Sequence, residues 1–348
     1  MYRTLLAGTA LAALATPLAA QTTIDNARTT PVKTSELRNG QGDDLKIGTN
    51  GTIKPTGGNA VTVDSDNDVT SDGKITVTDA NGASGIVVVG PRAADIVNNG
   101  TITIDETYTP TDTDKDGDLD GGFAKGTGRT GIRVGGALTG NVVQAGTITV
   151  EGNQSAGVSI DGPLTGAFTH NGRTTVVGDQ SVAVAAQDIR GNVRLAGQVG
   201  ASGAGSVGAR FAGDIDGALV VQGVVTASGY RSTTAPSDVS KLDADDLLQG
   251  GGALIVEGDV AKGIVFDVAP RDTKPDDKDE DGDGIQDDKE GNARISSYGS
   301  APAVAIGATN RDIAIGATQG AGNGFGIVFK GELIGDGVYT GVAGTGMA

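Results

Sequence analysis

Apolar and polar residues alternate in runs of four or five along most of the chain, each run opening on a small residue. One such line falls at 60–63, 85–88, 131–134, 157–160, 183–186, 208–211, 303–306 and 326–329, with a weaker copy starting at Ala253. The steps between copies are nearly constant: 25 residues from 60 to 85, 26 from 131 to 157 and from 157 to 183, 25 from 183 to 208, and 23 from 303 to 326. A second line keeps the same beat at 73–77, 100–104 and 146–150 and through Gly172, Gly197 and Gly223. A third runs between them at 138–142, 164–168, 189–193 and 215–219. Alternation with period two marks strands with one buried face.

No single unit of about 25 residues buries such a face alone. Stacking successive units in parallel pairs each strand with its own copy one coil away and makes a continuous core. The pattern therefore predicts an all-β chain forming a right-handed parallel β-helix, with about three short strands per coil and glycine, Asn or Asp at the turns. Nine recognisable coils at ~4.8 Å each predict a rod about 40 Å long. Propeller blades are longer, at ~40–45 residues. A sandwich does not explain three lines in one register, and helical solenoids conflict with the alternation.

Composition sharpens this picture. Of 348 residues, 59 are glycine and 11 aromatic, with no Trp or Cys and a single histidine, His170. The absence of Cys excludes disulfides, thiolate zinc sites and a cysteine nucleophile. His170 lies beside Asn171 and Gly172, where the pattern predicts a turn and an exposed ring. The formal net charge of −17 argues against nucleic-acid partners, which need clustered Lys and Arg. At the N-terminus, Arg3, an apolar run and Leu18, Ala19 and Ala20 read as a signal peptide over 1–20, too short to span a bilayer. The expected organisation is then an N-terminal capping segment at 21–45 and a β-helix over 46–348. After signal removal no membrane-spanning segment is expected.

Three interruptions break the beat, at about 105–127, 230–250 and 268–291. The third matches the twelve-residue calcium-loop pattern of EF-hands. Asp279, Asp281 and Asp283 would supply carboxylates, Ile285 its carbonyl, Asp287 a direct or water-mediated contact, and Glu290 a bidentate closure, with Gly284 making the sharp turn. No amphipathic helices flank it, so it resembles the calcium loops of thrombospondin type 3 repeats and dockerins. The first interruption offers Asp112, Asp114, Asp116, Asp118 and Asp120 but no closing Glu, a weaker calcium site. The segments 105–120 and 267–290 hold 18 of the 43 acids. The second interruption predicts a short helix from Ser237 to about Gln249, capped by Ser237, with Val239, Leu242 and Leu247 inward.

Enzymatic readings find little in the strands: Asp161, Asp188, Asp214 and Asp216 fall at turns, without repeated pairing, and sugar-stacking aromatics are few. The signal peptide followed by Asn-Gly-Thr-Ile-Thr-Ile and Gly-Thr-Ile-Thr-Val strands resembles the β-helical passenger region of autotransporter proteins and related adhesins of Gram-negative, alphaproteobacterial surfaces. That resemblance covers about 45–348. It implies export, a cell-surface, outer-membrane-associated or secreted location, a host, cell-surface or extracellular ligand, and a C-terminal β-barrel translocator that this sequence does not show. The expectation is a non-enzymatic adhesin or scaffold that binds Ca2+. A polysaccharide lyase or hydrolase and a calcium-dependent, self-assembling surface-layer component are the alternatives.

Overall fold

The computed structural model describes residues 21–348 apart from 114, 116, 118, 236, 275, 281–285 and 320–323. The segment read as a signal peptide lies outside the described residues. Three sheets of ten strands, all parallel, enclose one apolar core, giving a right-handed parallel β-helix of ten coils, ~43 Å between the outermost strands. Sheet A runs from Gln21–Ile24 to Ile327–Phe329, sheet B from Ala27–Arg28 to Glu332–Asp336, and sheet C from Val32–Lys33 to Thr345–Met347. The first coil thus lies within the segment 21–45. Each coil passes through A, B and C in turn. The sequence beat is the strand register: Thr101 pairs with Thr147, Thr147 with Arg173, Arg173 with Gln198 and Gln198 with Val224. The inward positions beside them, Ile102, Ile148, Thr174, Val199 and Val225, are buried. Chain alternation with period two permits only one face to do this.

Two lines differ from the sequence expectation. The third line splits at a corner: Leu138–Thr139 and Leu164–Thr165 form a small sheet with Arg92–Ala93, while Val142–Gln144 and Phe168–His170 belong to sheet A. The run at 326–329 is not the sheet C strand that its pattern predicts. Ile327–Phe329 pairs with Ile264–Phe266 in sheet A, and Thr345–Met347 closes sheet C. All three sheets use the same small-then-alternating pattern, so a single copy does not reveal its sheet; the odd 23-residue step was the sign.

The predicted helix after Ser237 is also absent. The only helical turn there is a three-residue 3-10 turn, Val239–Lys241, capped by the Asp238 carboxylate on Ser240 N at 3.1 Å. Val239 is 63% exposed and Leu247 42%. The Asp246 carboxylate accepts Asp243 N and the Asp243 carboxylate accepts Asp245 N instead, a local alternative that helices of this length lose to.

Coil-to-coil side-chain ladders add to the sheets. On one outer turn the Asp44 carboxylate accepts Asp68 N, Asp68 accepts Asp95 N, and Asp95 accepts Asn141 N at 3.0, 2.8 and 2.7 Å. Asp188, Asp214 and Asp259 repeat the device on the coils below, and Arg311 pairs with both Asp214 and Asp259. The backbone N–H of Asp259 is the main cause holding the Asp214 carboxyl below its ordinary range. Inside the turn from B to C, Ser155 Oγ accepts Arg129 N, Ser181 Oγ accepts Ser155 N and Ser206 Oγ accepts Ser181 N, all within 3.1 Å.

His170 is not exposed. It lies in the core at 0% exposure, its Nε2 2.8 Å from Thr174 Oγ1. The alternation of Phe168, Thr169 and His170 sends the ring inward, and the turn begins only at Asn171. Burial pushes its pKa down to about 4. Its register neighbours on the coils above are Gln144 and Asn98, also buried, so a polar seam crosses the apolar core.

Two outcomes follow from these packings. The Gly197 Cβ of an alanine variant would sit on the carbonyl oxygen of Gly172 in the preceding coil. G197A should lose about 3 kcal/mol or more in urea unfolding. In the unfolded chain His170 takes up a proton near its ordinary pKa of 6.5, whereas in the core it stays neutral to about 4. Its contribution is therefore fully present above pH 6.5 and is lost as pH falls towards 4, by about 3 kcal/mol. H170L, which places the leucine of the next coil there, should remove that part of the pH dependence measured by unfolding at pH 7, 5.5 and 4.5.

Candidate functional site

The insertions at 105–127 and 230–250 both leave from the turn between sheets B and C, in the fourth and eighth coils. They meet along the side of the rod. Gly121 N donates to Asp245 Oδ2 at 2.6 Å, and the Arg231 guanidinium donates to Gly121 O at 2.6 Å while lying 4.4 Å from the Phe123 ring centre. A buried pair fixes the first insertion at its root. Arg129, 1% exposed, pairs with Glu106 at 2.9 Å and also donates to the carbonyls of Ala80 and Glu151. Glu106 in turn accepts Lys125 N and Gly126 N, both at 2.7 Å. Burial raises the Glu151 carboxyl above its ordinary range beside this pair.

At the junction of the two insertions, Asp120, Asp243 and Asp245 bring carboxylate oxygens within 4.8 Å of one another. The Asp243 and Asp245 carboxyls share a hydrogen bond, which raises the pKa of Asp243 and lowers that of Asp245. Asp120 also accepts from Thr113 N and Oγ1. Of the first-loop acids read from sequence, only Asp120 joins this cluster among the described residues. Asp112 instead caps its own turn, accepting Lys115 N and Gly117 N, and Asp114, Asp116 and Asp118 lie outside the described residues. Asp243 and Asp245 were not legible as partners, because 123 residues separate Asp120 from Asp243 and no motif spans them.

The insertion at 268–291 leaves from the turn between A and B. Asp281, Asp283 and Ile285 lie outside the described residues. Asp287 N closes the loop onto Lys278 O at 2.9 Å, and Asp287 opens the 3-10 turn Asp287–Lys289. The Asp287 carboxyl is pushed up to about 6, mainly by a hydrogen bond with Glu280 and further by the charges of Glu280 and Asp279. Asp287 Oδ1 also accepts Glu280 N at 3.2 Å, so Glu280 is an acid at this loop that the motif does not specify. Glu290 Oε1 accepts from Gln222 Nε2 at 2.5 Å, which ties the end of the loop to the rod.

A polar trough of about 820 Å³ runs along the turn between A and B. Its floor is the glycine column that includes Gly100, Gly146, Gly172 and Gly197, and Lys74 and Arg173 stand on its wall. Asp72 is its one carboxylate; the Asn99 amide holds that group below the ordinary range, and Lys46 pairs with it at 3.2 Å. Such a lining can hydrogen-bond an extended ligand.

Comparison with protein-family models, with curated protein sequences and with solved structures finds no match. Among the described residues no helix is long and apolar enough to cross a membrane.

Removing one partner of the buried pair leaves the other charge uncompensated. E106A or R129A should cost about 3–5 kcal/mol. In limited proteolysis either variant should be cut first within 106–126, and wild-type rates of cleavage there would contradict the anchoring role.

Proposed function

We propose that this chain is an exported, non-enzymatic β-helical protein of the cell surface or extracellular medium, an adhesin or scaffold whose acidic insertions bind calcium. The β-helix, the signal-peptide-like start and the strand texture support a kinship with autotransporter passengers, whose ligands are extracellular. One observation carries the calcium reading: Asp120, Asp243 and Asp245, from two insertions far apart in sequence, crowd their carboxylates into one place. Like charges so close repel unless a proton or cation lies among them. Hard oxygen donors alone suit Ca2+ rather than a transition metal. Asp279, Asp281, Asp283, Ile285, Asp287 and Glu290 are the second proposed set, and Asp112, Asp114, Asp116 and Asp118 a further pool near Asp120. The trough, with its single paired carboxylate, supports binding over catalysis. A translocating β-barrel and the adhesion target remain proposals of the same reading.

Calcium titration followed by heat release and thermal melting tests this. Binding at millimolar calcium or below, with a rise in Tm, is expected. D243N/D245N should abolish the junction component and leave that of 279–290, while D279N/E290Q should do the reverse. Absence of binding in the wild-type chain would overturn the calcium reading.

A further inference from the structure

The polar seam inside the core is three side chains deep before it reaches His170. Ser71, Asn98 and Gln144 occupy one inward position of sheet A on successive coils, all at 0% exposure. Their amide orientations are fixed in sequence. Gln144 Nε2 donates to the carbonyls of Gly146 at 3.0 Å and Arg173 at 3.4 Å, so Oε1 must face the other way, towards Asn98. Asn98 Nδ2 donates to that oxygen at 2.7 Å. Flipping Asn98 would set two carbonyl oxygens against each other, so its Oδ1 is left without a donor. Ser71, its register neighbour, also has a buried hydroxyl without a protein partner. Buried groups in that state cost about 1–3 kcal/mol each. The same row holds Ile47 on the coil above Ser71 and the amide of Asn98 below. Serine is the smallest of the three side chains.

We propose that a structural water molecule is bound in the core between Ser71 Oγ and Asn98 Oδ1. It donates to Asn98 Oδ1 and exchanges a second hydrogen bond with the Ser71 hydroxyl, meeting the two-partner minimum of buried waters. The site takes water and not a metal ion: it offers two neutral oxygens in an apolar shell, against the six to eight hard donors of calcium. An alkyl group there would leave both atoms unpaired.

A crystal structure of the full chain at a resolution that shows ordered solvent tests the site directly. A peak ~2.7–3.2 Å from both oxygens is expected. No peak, or a direct bond from Ser71 Oγ to Asn98 Oδ1, would overturn the proposal. In solution, oxygen-17 magnetic relaxation dispersion counts waters held for long residence times. S71V fills the space and removes one anchor, so its count should be one lower than that of the wild type. An equal count in a folded S71V would sink the proposal, and the crystallographic arm decides the matter if that variant does not fold.

Discussion

Every coil of this rod must lay its backbone within hydrogen-bonding distance of the coil before it, through three sheets and the turns between them. That single spacing governs the rest. In the turn from A to B, Gly100 N and Asn99 N both reach Ser71 O, and Gly146 N and Ala145 N both reach Asn98 O, at 2.8 Å. A Cβ fits poorly between backbones so close, so this position is glycine on the second to eighth coils, from Gly51 to Gly223, and again at Gly331, while Ala293 takes it where an insertion replaces the turn. The trough is the outer face of the same constraint, a column with no side chains to fill it. The high glycine content is thus set by coil stacking and not by flexibility.

The same spacing sorts the polar residues. Outside, an Asp or Asn at a turn can reach the N–H of the next coil, and the ladders from Asp44 to Asn141 and from Asp188 to Asp259 do so. Stacked carboxylates repel, and each is offset by a backbone dipole or, at Asp214 and Asp259, by Arg311. These acids have a structural use. In the insertions Glu106 anchors a loop through Arg129 and Asp112 and Asp238 cap turns, but carboxyls also crowd one another at Asp120, Asp243 and Asp245 and at Glu280 and Asp287. Where a fold collects like charge in one place, the field it makes is available to an external cation.

What the sequence disclosed follows the range of the interactions involved. Coil stacking repeats at fixed intervals, so strands, sheet register and the inward Val and Ile columns were legible from spacing alone. Contacts that occur once were not. The Arg129–Glu106 pair joins residues across the first insertion, and the sequence alone does not distinguish that arginine from the exposed Arg133 of the strand that follows it, Thr130–Val134. The junction of Asp120 with Asp243 and Asp245 depends on two loops running side by side. At His170 two local signals compete, the Asn171-Gly172 turn pointing outward and the strand alternation pointing inward, and the alternation prevails, as it does for Gln144 and Asn98 at the same position on earlier coils. Reading the column instead of the segment would have placed all three inside.

The polar seam also shows what a repeat fold can tolerate. A globular core meets each buried polar group with its own local solution, whereas here one coil's amide becomes the next coil's acceptor, so the seam is satisfied as a chain and fails only at its ends. At one end, Gln144 hands its donors to the carbonyls of Gly146 and Arg173; at the other, Asn98 Oδ1 and Ser71 Oγ have no coil to pass to, since Ile47 stands next in the row. The cost therefore gathers at the boundary between polar and apolar coils and not along the seam. His170 lies just past the other boundary, neutral because the protein there offers a hydroxyl from Thr174 but no charge. Substitutions that break the seam in its interior would create two new ends, whereas those at its edges move an existing one, so the core tolerates loss of Ser71 better than loss of Asn98.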